Sequence, residues 1–96
     1  MYGYVFISTN SSTDMKYIGI NKAVKFDSKF IGDTDAVLKD ADTSDFSVAM
    51  LMPYEDEKSL ELGLKFFLDK YEALTDPSFY NCEKPKKSRK KKVEDE

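Results

Sequence analysis

Tyr2, Tyr4, Phe6 and Tyr17 cluster in the opening stretch YGYVFISTNSSTDMKYIGI. A phenol can move a proton in catalysis when it is suitably placed, but the plain reading of this aromatic cluster is sheet packing. Asp14, Asp27, Asp33 and Asp35 offer hard oxygen ligands, yet their spacing is not that of an EF-hand, and solvated turn acids are the default. The chain has no histidine, which removes the commonest general base and the commonest zinc ligand. Its single cysteine, Cys82, is too isolated to suggest a metal site and has no partner for a disulfide within the chain. A reducing cytoplasm fits that usage. No metal and no cofactor are expected.

Positioning such residues takes a framework, and 96 residues allow one small domain with one modest core. Residues 2–9 and 15–20 are β-branched and aromatic and read as two strands. NSSTD between them is a run of turn formers, so the pair makes a hairpin. Gly32 and Asp33 break the next segment, and Thr34 or Asp33 caps a short helix over Asp35–Ala41. Residues 45–52 read as a third strand ended by Pro53, with Met50 and Met52 filling the core. A long helix follows from Glu55 to about Leu74. Leu60, Leu64, Phe67, Leu68 and Tyr71 form its apolar stripe. Leu62 and Phe66 widen the stripe and imply a well-buried helix, which Asp76-Pro77 ends. The expected fold class is α+β: a small three-stranded antiparallel sheet with two main helices packed on it. The domain spans 1–82, and 83–96 form a charged tail expected to be disordered.

The order of these elements and several short motifs resemble the GIY-YIG nuclease family, most closely its small phage and intron-encoded branch. Thr9-Asn10 stands where the family's Thr-Asn turn falls, and Tyr17-Ile18-Gly19 matches the Tyr-Ile-Gly strand. Counting back eleven residues from Tyr17 lands on Phe6, so the first triplet is Tyr4-Val5-Phe6. Phe30-Ile31-Gly32 is similar to the Tyr-Leu-Gly before the first helix, and Asp45-Phe46 to the start of the third strand. Pro77 with Phe79-Tyr80-Asn81 is similar to the closing Pro-x-x-Tyr-Asn. The resemblance covers residues 1 to about 82.

The resemblance implies a one-metal DNA-cutting site, with a tyrosine base from the first triplet, an arginine on the first helix and a metal-binding glutamate on the long helix. This chain departs at all three. Phe6 has no hydroxyl. Asp40 takes the place of the arginine, and its charge repels phosphate. Leu64 aligns with the glutamate, leaving Glu61, three residues away, as the rescue candidate. Tyr17, Gly19 and Asn81 survive, and each has a structural reading. Lys39 is an imperfect stand-in for arginine, because an ammonium lacks the planar fork. No catalytic residue is therefore assigned. The expectation is a pseudo-nuclease.

Charge divides the chain. Residues 1–82 carry a net of −6, and residues 83–96 a net of +3. Lys84, Lys86, Lys87, Arg89, Lys90, Lys91 and Lys92 form a run able to grip phosphates, with affinity that falls steeply with salt. An acidic body repels a duplex and suits a basic protein partner. Three functions follow. The first is a phage-type protein, in a host cytoplasm, that binds a protein partner and inhibits a host nuclease or defence complex. The second is a nucleic-acid-binding accessory that uses the tail. The third is an active nicking enzyme with a relocated site of Tyr17, Glu61 and Lys39. No membrane span or signal peptide is expected.

Overall fold

The computed structural model describes residues 1–82; the basic run at 84–92 lies outside them. Strands β1 (Gly3–Asn10) and β2 (Lys16–Asn21) form the expected hairpin. Helix α1 (Asp35–Ala41), strand β3 (Phe46–Tyr54) and helix α2 (Glu57–Lys70) follow. The strands make one antiparallel sheet in the order β2-β1-β3. This is the α+β fold that the pattern of the sequence predicts.

Asn10 builds the hairpin turn. Its Oδ1 accepts from the N–H groups of Ser12 and Thr13, at 2.9 and 3.3 Å, so the side chain mimics a backbone turn. Asp14 takes φ 62°, a left-handed conformation that aspartate tolerates better than most residues. Being central, β1 is buried on both faces. Val5 and Ile7 pack with Ile18 and with Leu60 and Leu64 of α2. By strand alternation Tyr4, Phe6, Ser8 and Asn10 face the other way. There the 22–34 segment closes over them: Phe26 lies on Tyr4, Phe30 lies on Phe6, and Ser8 Oγ donates to Ile31 O at 2.8 Å.

Both helix starts follow their caps. Thr34 accepts from Val37 N–H at α1, and Asp56 accepts from Ser59 N–H at 2.8 Å at α2. Three expectations need correction. First, β3 runs on through Pro53 to Tyr54. It is an edge strand, with a bulge where Val5 pairs with Met52 but Phe6 pairs with Met50. Asn10 N–H donates to Met15 O on the β2 side, so alternation aims the main-chain groups of Thr9, Ile7 and Val5 at β3. Their partners Ser47, Ala49 and Met52 point back, and the Pro53 nitrogen turns to the open edge, where no N–H is needed. Second, α2 stops at Lys70. Glu72 takes φ 55°, its N–H bonds Asp69 O, and Ala73 N–H bonds Leu68 O. These are the paired bonds of a Schellman stop, and they end the helix six residues before Asp76. Third, Leu62 and Phe66 are 60% and 57% exposed. The buried arc of α2 is centred on Leu60 and Gly63, and Met52 is also half exposed.

Candidate functional site

The hairpin register puts Phe6 opposite Gly19 and Ser8 opposite Tyr17, so the Phe6 and Tyr17 rings meet with centroids 6.1 Å apart. Phe6 is fully buried and meets Tyr4 and Phe30 edge to face, an arrangement that favours aromatic quadrupoles. The Tyr17 ring rests on two glycines. A Cβ at Gly19 or Gly32 would come within 2.7 Å of its Cε2, and Gly32 has φ +123°. This explains Phe30-Ile31-Gly32: Phe30 packs on Phe6 and Gly32 lets the backbone reach Tyr17. Burial, and then the negative charge of Asp33, push the Tyr17 phenol above its ordinary pKa. A base needs the opposite shift. The Tyr4 hydroxyl is fully engaged, accepting from Asn21 Nδ2 at 3.0 Å and Asp27 N–H at 2.9 Å.

Asp40 is committed elsewhere. Its Oδ2 accepts from the Tyr80 hydroxyl at 2.6 Å, and that hydroxyl accepts from Asn10 Nδ2 at 3.1 Å. Burial, reinforced by the bond to Asp40, pushes the Tyr80 phenol up to about 12. The chain Asp40–Tyr80–Asn10 ties α1 to the hairpin turn through the closing segment. No local signal in the sequence around residues 77–81 points to this link.

Asn81 pairs with one residue's main chain. It accepts from Ile18 N–H at 2.9 Å and donates to Ile18 O at 2.8 Å, as a neighbouring strand would. Beside it, Lys16 N–H donates to Ser78 O and Tyr80 N–H donates to Lys16 O. Residues 78–81 thus cover the outer edge of β2, which would otherwise present unpaired groups.

Leu64 packs against the core cluster under α2. Glu61 is exposed on the same helix, near enough to Lys22 to help raise its pKa, chiefly set by Glu57. Tyr17 stands on the other face of the sheet, and Lys39 is exposed on α1. The structure therefore brings Phe6 and Tyr17 together but does not join Tyr17, Glu61 and Lys39 into one site. No group of three His, Cys, Asp or Glu side chains able to hold a metal occurs among the described residues.

Five aspartates and one lysine lie between residues 33 and 45. Asp33, Asp35, Asp42 and Asp45 are exposed, with half-exposed Leu38 among them. The two ion pairs among the described residues involve Glu55 and Glu57, away from this cluster. No helix of the described residues is long and apolar enough to cross a membrane. Compared with models of known families, with curated proteins and with solved structures, the chain matches none.

Proposed function

We propose that this chain is a catalytically inactive GIY-YIG-like domain of phage type, which acts by binding a basic protein surface. Its acidic α1 side competes for the nucleic-acid site of a host nuclease or defence complex. One observation carries the reading: every family-aligned position serves packing or internal hydrogen bonding, while four aspartates around α1 remain exposed. Phe6 and Leu64 are in apolar contacts. Asp40 holds Tyr80, and Asn81 holds Ile18. Tyr17 keeps its proton. Base, metal ligand and phosphate clamp act as a unit, so a single rescue at Glu61 does not restore the reaction.

The test has two arms. In a plasmid-nicking assay with magnesium or manganese, the wild type and Glu61→Ala should be equally inactive. Metal-dependent nicking lost in the variant would overturn the reading and restore the relocated-site enzyme. In affinity capture from candidate hosts, the wild type should retain a stoichiometric partner. The variant carrying Asn at 33, 35, 42 and 45 should lose it. The run of seven positive charges at 84–92 favours a second reading, a nucleic-acid accessory. Under that reading, deleting 84–96 abolishes salt-sensitive binding and the aspartate changes do not weaken it.

A further inference from the structure

The sheet has two outer edges, and among the described residues only one is covered. Residues 78–81 occupy the outer edge of β2 at Lys16 and Ile18. On β3 the alternation described above turns the main-chain groups of Phe46, Val48 and Met50 outward, and none of the three has a hydrogen-bond partner there among the described residues. Such an edge is a template for another strand.

We propose that β3 pairs antiparallel with β3 of a second copy of this chain, centred on Val48, to give a continuous six-stranded sheet. Strand β3, FSVAMLMPY, has no charged side chain, and Asp45 and Glu55 bracket it. In this register Phe46 lies opposite Met50 of the copy, and Val48 opposite Val48. Each Asp45 falls opposite Leu51, and Glu55 lies beyond the paired segment, so no two acids face each other. Two net-negative bodies thus meet along an uncharged strip. The contact is self-complementary about a two-fold axis and closes at the dimer.

The helix layer supports the same occupant. The two-fold axis runs through the sheet, so both α2 helices lie on one side. Gly63 rests on the Tyr54 ring of β3. Phe66, one turn after it, continues round the helix past Gly63, on the flank toward the open edge, while Leu62 stands opposite the Leu60–Leu64 arc. Ser47 and Ala49, on this face of β3, are small and exposed. They leave space in which the Phe66 rings of the two copies approach over the seam. The dimer therefore covers a large exposed aromatic, Phe66 at 57% exposure, together with the strand edge.

Sedimentation equilibrium of the full chain tests this, over about 10 to 500 μM, the range in which a small interface dissociates. The expected result is a rise from monomer to dimer mass that strengthens with added salt, because salt screens repulsion between the acidic bodies. Ala49→Lys and Phe66→Glu, at two exposed sites in separate elements, should each weaken association at least ~10-fold with unchanged circular dichroism, and each introduces a charge at the seam. Leu38→Glu, on α1, should leave it unchanged. A monomer throughout the range would overturn the proposal. So would a dimer that both seam variants leave intact, or one that dissociates as salt is added, the signature of tail-to-body attraction.

Discussion

The Tyr80 hydroxyl shows how a single group can fix the relation of three segments. It donates to Asp40 on α1 and accepts from Asn10, whose own oxygen shapes the hairpin turn. Asn10 is fully buried, so Tyr80→Phe leaves its Nδ2 without that acceptor. The expected loss is about 1–3 kcal/mol, the usual cost of an orphaned buried donor, read from urea denaturation. The same residue sets an alkaline limit. Its folded pKa, about 12, is above the ordinary tyrosine value of 10.0. A raised pKa means that the native state holds the proton more tightly than the unfolded chain. Stability from this source is complete below about pH 10 and falls as pH rises toward about 12. Tyr17 is shifted in the same direction. Melting temperature should therefore drop across that window in the wild type and drop less steeply in Tyr80→Phe. Asp40→Asn should keep a hydrogen-bond partner but remove the carboxylate charge, moving the Tyr80 tyrosinate transition to lower pH.

At the scale of elements, α2 carries two choices that run against helix propensity. Gly63 sits mid-helix, where alanine is better by about 1 kcal/mol. A Cβ there would clash with the Tyr54 ring, so Gly63→Ala should destabilise by about 1–3 kcal/mol, the usual cost of overpacking. Gly63→Ala with Tyr54→Leu should recover part of the loss. Glu72 is the converse case. It holds the left-handed position of the helix stop, where a Cβ costs about 1–2 kcal/mol. Glu72→Gly should raise the urea midpoint. The missing glycine at 72 also explains why the helix end was not legible in the sequence. The hairpin and α1 were legible because Asn10, Asp14 and Thr34 act within a few residues of themselves. Pro53 was misread because its effect depends on whether β3 is central or at an edge, which only the assembled sheet decides. Leu62 and Phe66 fit the apolar periodicity of α2, but periodicity does not say where the cover ends. For the candidate site, the Phe6–Tyr17 contact followed from hairpin register. The Asp40–Tyr80 bond joins residues 40 apart and left no local signal.

For the whole molecule, the decisive quantity is the division of charge. A tail with seven positive groups at 84–92 is attached to a body of net −6. If all seven positive groups engaged duplex phosphates, log K would fall with log salt at a slope of about −6. The acidic body opposes such engagement, because any duplex drawn to the tail also meets the field of the aspartates around α1. The full chain should therefore bind a short duplex more weakly than an isolated peptide of residues 83–96, and with a shallower slope. Fluorescence anisotropy over a salt series, with both ligands on the same duplex, checks this. Neutralising Asp33, Asp35, Asp42 and Asp45 as asparagines should move the full chain toward the peptide. That shift would mean that the body selects against nucleic acid and leaves its acidic side for a basic protein. A full chain that binds as tightly and as steeply as the peptide would mean that the body is electrostatically silent, and the nucleic-acid accessory would then be the better description of the molecule.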